Sequence, residues 1–222
     1  MNHQNDSDLS KQAKELLNKY RSRPLIQEIL RRLEADLPLT LTYHNLQHTL
    51  EVMYESLVLG LYDGLSEREL ELLQIAAAYH DAGFLVRVDD NEEIAAELAV
   101  SALRAEKSFL EEEIQIIRQM ILDTQLVRDG PLYRQIPKIR LSRYLLDADL
   151  SNFGRNDFFE KTELIRRELG RDPILFQQIT LQLIETHKWH TPAANALRQN
   201  QKLINIAEIR KSVARENRAL KS

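Results

Sequence analysis

Apolar residues along this chain recur at three- and four-residue spacing. Leu50, Val52, Met53, Leu57 and Leu59 form one stripe, Ile114, Ile117, Ile121 and Leu122 a second, and Leu175, Ile179, Leu183 and Ile184 a third. That period is the mark of a helix with one buried face. β-Branched residues never alternate long enough to suggest a sheet. Helix starts are signalled by Ser22 with Pro24, by the capping-box patterns Ser66 to Glu69 and Ser108 to Glu111, and by Asp172-Pro173 and Thr191-Pro192. Gly60, Gly64, Gly154 and Gly170 read as stops or turns, and Leu126 to Lys138, with Asp129-Gly130-Pro131 and Pro137, as the main loop.

The pattern predicts an all-α fold, a single bundle of about eight to ten helices. The 222 residues suffice for one substantial core. Residues 1–40 read as an N-terminal helical extension and 172–222 as C-terminal helices packed on the core. No internal repeat or Pro- or Ser-rich linker divides the chain.

Composition narrows the chemistry. Apolar content of 43% and charged content of 29% are ordinary for a globular protein, and the net charge of -4 gives no support to nucleic-acid binding. The basic stretch Arg210 to Lys221 reads as a solvated helix face. With no cysteine, any metal must be held by His, Asp and Glu. The cysteine count fits a reducing compartment. Met1 to Asp8 is polar, unlike a signal peptide, and no apolar run approaches a membrane span. A cytoplasmic location is expected.

Four segments carry candidate chemistry. Tyr43-His44-Asn45-Leu46-Gln47-His48 places two histidines four residues apart, one turn on the same face if the segment is helical. His80-Asp81 follows the apolar run Leu72 to Tyr79, and neighbours on a regular helix point about 100° apart, so they share a ligand only where the helix ends. Gly83 makes an ending there plausible. Asp147 and Asp149 compete as the carboxylate late in a further apolar helix, and Asp149 sits in the better Ala-Asp-Leu context. Asp147 suits a cap or a group orienting a ligand histidine. Two imidazoles and two carboxylates at one point suit Zn, Mn, Fe, Co or Ni better than Mg alone.

His48, His80-Asp81 and Asp149, in that order, resemble the HD superfamily of metal-dependent phosphohydrolases, named for its central His-Asp pair. The resemblance runs from about Tyr43 to Gly154, more loosely to the C-terminus. It implies an HD-like bundle with His48, His80, Asp81 and Asp149 as metal ligands. Tyr43-His44-Asn45 with His48 four residues after His44, followed by Asp90-Asn91-Glu92-Glu93, resembles uncharacterised bacterial HD proteins. The first part also resembles cyclic-nucleotide phosphodiesterases, which implies His44 as general acid. Many two-metal members carry further histidines after the central pair, whereas none occurs here between Asp81 and His187. A single tight metal, with an optional Mg bridged through Asp81, fits that gap.

Glu92 and Glu93 open a helix, where acidic residues are favoured, but a carboxylate so close to the His-Asp pair also suits a base or a holder of metal-bound water. Arg87, Lys188 and His190 are the nearest cations for a phosphate, and Thr124 is a candidate lining residue. These roles describe hydrolysis of a small phosphoester, a nucleotide above all, by metal-activated water. Rival readings are a metal- and nucleotide-binding signalling module without turnover, and di-iron oxygen chemistry, which the histidine gap disfavours. Neither a membrane nor a nucleic-acid duplex is an expected partner, and a homodimer is compatible with the sequence. No Gly-rich GxxxxGK[ST] loop and no Gly-x-Ser-x-Gly elbow is present.

Overall fold

The computed structural model describes residues 3–130 and 132–219. Met1, Pro131 and Lys221, each used in reading the sequence, lie outside the described residues. Ten helices form the bundle among the described residues: α1 (His3–Arg21), α2 (Pro24–Asp36), α3 (Leu46–Tyr62), α4 (Glu67–Tyr79), α5 (Asn91–Glu106), α6 (Glu111–Leu122), α7 (Ser142–Asp149), α8 (Phe158–Glu168), α9 (Pro173–Thr186) and α10 (Pro192–Ala219). Two 3-10 segments, Ala82–Leu85 and Ser151–Gly154, follow α4 and α7. The all-α expectation holds. None of the described helices is long and apolar enough to cross a membrane.

Several start signals act as the sequence implies. Ser66 and Glu69 form a reciprocal capping box at α4, and Asp172 accepts the backbone N–H groups of Ile174 and Leu175 at 3.0 Å each. Others shift. Helix α6 begins at Glu111, with Glu113 accepting from Leu110 N–H at 3.0 Å, while Ser108 Oγ donates to Glu106 instead. Ser22 donates to Lys19 O rather than capping α2, which Pro24 opens. Gly60 is no stop: it lies inside α3, where a Cβ would meet Leu70 Cδ2 at 2.6 Å, so its smallness lets α4 approach.

The expected loop after α6 contains a short antiparallel hairpin, β1 (Val127–Asp129) and β2 (Leu132–Arg134), pairing Arg128 with Tyr133. Three residues per strand are too few to leave a readable alternation. One large core takes buried side chains from α1 through α7, including Tyr20, Ile29, Met53, Leu73, Leu103, Ile117 and Leu145. Helices α1 and α2, the expected N-terminal extension, contribute Ala13, Tyr20, Ile26, Ile29, Leu30 and Leu33 to this core. A smaller cluster of Phe153, Phe158, Ile184, Ile206 and Ile209 fastens α8, α9 and α10 to it.

Helix α9 departs from the rule that an apolar stripe is buried. Of its apolar side chains only Ile184 is buried, while Leu175 and Ile179 stand 53% and 48% exposed.

Candidate metal centre

The ends of three helices meet at one point. Asn45 caps α3, its side chain accepting from Gln47 N–H at 2.9 Å and His48 N–H at 3.3 Å, and this sets His48 in the first turn. The buried helix α4 ends at Tyr79 with His80 as its cap residue, and the chain tightens into the 3-10 segment at Asp81. That break turns His80 and Asp81 toward a common point. It requires Gly83, whose Cβ would lie 1.9 Å from Asn91 O. Asp149 is the last residue of α7.

The donor atoms converge. His48 Nε2 lies 3.1 Å from Asp149 Oδ1, 3.3 Å from His80 Nε2 and 3.5 Å from Asp81 Oδ2. His80 Nε2 lies 3.2 Å from Asp81 Oδ2 and 3.7 Å from Asp149 Oδ1. Ligands bound about 2.0–2.2 Å from one ion stand roughly 3.0–3.6 Å from each other, so this spacing is that of a shared coordination sphere. Ala77 O accepts from His80 Nδ1 at 2.8 Å, which places the neutral ring's lone pair on Nε2, facing the cluster. Asp81 Oδ2 is buried without a hydrogen-bond partner. These features fit a divalent cation held by His48, His80 and Asp81, with Asp149 completing the set.

Electrostatics agree. Burial alone would lower the His80 pKa, but the Asp81 and Asp149 carboxylates together hold it well above the ordinary imidazole value. Burial opposes ionisation of Asp81 and Asp149 too, yet the facing imidazoles hold both carboxyls below the usual range. The point favours positive charge, whether from a proton or a metal ion.

His44 is not on α3, contrary to the helical pairing considered from sequence; it precedes the capping Asn45. Its ring still stands 5.7 Å from that of His48 and packs on Phe84 at 5.0 Å. Glu168, at the end of α8, accepts from the backbone N–H groups of Tyr43 at 2.7 Å and His44 at 3.0 Å, and its other oxygen meets His44 Nδ1. Burial pulls the His44 pKa down, but Glu168 together with Asp81 and Asp149 leaves it raised.

The cluster floors a cavity of about 560 Å³ lined by Tyr43, His44, Asp81, Asp149, Glu92 and Thr124 together with residues of the hairpin, α8 and α9. Burial, reinforced by Asp81 and Asp149, raises the Glu92 carboxyl. Glu93 is exposed and faces a separate surface dent beside Arg87. The structure keeps Arg87, Lys188 and His190 out of the cavity: Arg87 donates to Asp89 O, and His190 N–H donates to Asp147. Arg171 is the one Lys or Arg lining it among the described residues.

Asp147, the rival of Asp149, is fully buried and accepts from His190 N–H, Thr191 N–H and Thr191 Oγ1 at 2.8–3.1 Å. It secures the start of α10 and takes no part in the cluster.

Two residues of the site carried no sequence signal. Glu168 lies in Arg166-Arg167-Glu168, which reads as a solvated face. Gln135, beyond β2, donates from Nε2 to Asp149 Oδ2 and to Thr124 O, each at 2.7 Å. It holds the Asp149 carboxylate so that Oδ1 faces the imidazoles.

No protein-family model matches the chain, and none of the curated proteins searched matches it.

Proposed function

We propose that this protein is a metal-dependent phosphohydrolase acting on a small phosphoester. The observation that carries the reading is the convergence of His48, His80, Asp81 and Asp149 at the floor of a cavity that also presents the Glu168-held imidazole of His44. His48, His80, Asp81 and Asp149 would hold a divalent ion, which when bound would supply Lewis acidity toward water and a phosphoryl oxygen.

The chain's own groups provide the remaining chemistry. With Nδ1 turned to Glu168, His44 has Nε2 available for substrate, and Glu168, Asp81 and Asp149 raise its pKa against burial, favouring the protonated ring a general acid needs. Water oxygen bonds to phosphorus, the P–O ester bond breaks, and the leaving oxygen takes the His44 Nε2 proton. His44 keeps its Nδ1 proton against Glu168. Glu92, on the cavity wall, is the carboxylate for the proton released by water. Arg171 offsets phosphate charge at the rim.

A second reading, a binding module without turnover, draws support from the scarcity of cations: Arg171 is exposed and alone among the described lining residues. The test is an assay of Mn- or Co-reconstituted protein against nucleotides and simple phosphoesters, with metal analysis of the parent and Asp81→Ala. The proposal expects Asp81→Ala to lose both bound metal and turnover. Parent-like turnover in Asp81→Ala would overturn it, and tight ligand binding with no product under any metal would favour the second reading.

A further inference from the structure

Soluble proteins bury most large apolar side chains, and clusters left exposed mark a site where something apolar binds. Four exposed residues gather around the mouth of one cavity: Leu126 (45%), Tyr133 (56%), Leu169 (49%) and Ile179 (48%). They come from two separate stretches of the chain, the hairpin region and the segment from the end of α8 into α9. Phe153 and Phe176 continue the same wall inward. Helix α9 adds to the arrangement, since it carries far more apolar residues than the fold buries.

The same cavity also holds His44, Asp81 and Asp149. A phosphoester with its phosphorus over the metal centre must therefore place its alcohol portion against the apolar wall. Arg171 is the one Lys or Arg of the lining among the described residues and already serves the reacting phosphate, so no cation is left to pair with a second phosphate. The volume, about 560 Å³, lies within the usual range for small-molecule sites.

We infer that the α8–α9 wall is the subsite for the alcohol portion of the substrate, and that this portion is a bulky, uncharged apolar group, not a polyphosphate or a sugar. The inference rests on the phosphohydrolase reading for the role of the candidate metal centre. Covering roughly 100 Å² of apolar surface corresponds to about 50- to 100-fold in affinity.

The experiment compares 1-naphthyl phosphate with glycerol 3-phosphate on the full-length, Mn-loaded protein, and measures 1-naphthol binding by calorimetry. Ile179→Asp and Leu169→Asp put a charge into the wall at half-exposed positions, where folding tolerates it; Leu110→Asp, 69% exposed and outside the cavity, is the control. The ratio of kcat/KM for the naphthyl over the glycerol ester is expected to fall about tenfold or more in both wall variants and to hold in the control. Leaving-group reactivity cancels when ratios are compared between parent and variant. Naphthol affinity falls in parallel. If both esters are hydrolysed but neither the ratio nor naphthol binding moves in the wall variants, the subsite is wrong and the hydrolase reading stands. If neither ester turns over while naphthol binds and both wall variants weaken it, the subsite stands and the hydrolase reading falls.

Discussion

Glu168 holds His44 from 124 residues further along the chain, accepting its backbone N–H at 3.0 Å while the other oxygen meets the ring Nδ1. One carboxylate thereby positions the His44 imidazole beside the candidate metal centre and favours its charged form. Glu168→Gln keeps an acceptor for the backbone and removes the charge, so the His44 pKa falls. A general acid works while protonated, so the alkaline limb of the pH–rate profile should move to lower pH and kcat drop about tenfold or more. Stability shifts with it. A histidine raised in the folded state contributes stability that is full below its unfolded pKa and lost as pH rises through the folded one, and Glu168→Gln loses that contribution. Ring titration by NMR reads the shift directly, and an unmoved His44 midpoint would contradict the role of Glu168.

Gln135 connects the hairpin to the metal centre through Asp149 Oδ2. Partners that orient a metal ligand are worth about 10- to 100-fold in metal affinity. Gln135→Ala is expected to weaken Mn or Zn binding by that factor in a chelator competition, with helix content unchanged by circular dichroism. Affinity within twofold of the parent would show that Asp149 is oriented by other groups.

Gly83 passes so close to Asn91 that an added Cβ would lie 1.9 Å from its carbonyl oxygen. The obstacle is backbone at the start of α5, which cannot swing aside as a side chain would. Gly83→Ala should cost about 3 kcal/mol or more, lowering Tm by roughly 6–12 °C. Because Gly83 lies between Asp81 and Glu92, residual folded protein should also bind metal less tightly. Calorimetry with and without Mn separates the two effects.

Asp147 satisfies two backbone N–H groups and one hydroxyl at the start of α10. Asp147→Ala leaves these donors unmatched and should destabilise by about 2–4 kcal/mol. The pH dependence has a definite sign. Burial raises this carboxyl to about 6, so its contribution is full below the unfolded value near 3.8 and is lost as pH rises through 6. Denaturant titrations between pH 3.5 and 7 should show that decline in the parent and a flatter curve in Asp147→Asn.

Much of the architecture was legible along the chain because helical period and capping chemistry are local. Ser66 with Glu69 and Asp172 with Pro173 act within a single turn, so a sequence window contains all they need. Signals that depend on a neighbour in space misled: Gly60 resembles a stop but serves a helix crossing, and the hairpin after α6 is too short to show its period. The stripe on α9 announces a helix correctly and its burial wrongly, since Ile179 and Leu183 line a cavity.

The residues of the candidate metal centre stood out in sequence as His and Asp near apolar helical runs, with a glycine after Asp81 and an apolar run before Asp149, and a resemblance named them as one set. Sequence by itself thus determined the helices and the donor types, which depend on neighbours a few residues away. Tertiary structure alone decided the rest. It gave Asp147 its place at the start of α10, brought Glu168 to His44 and Gln135 to Asp149, and left Arg87, Lys188 and His190 outside the cavity. A charged or amide side chain reads the same in sequence whether it faces solvent or a partner a hundred residues away, and only packing distinguishes the two.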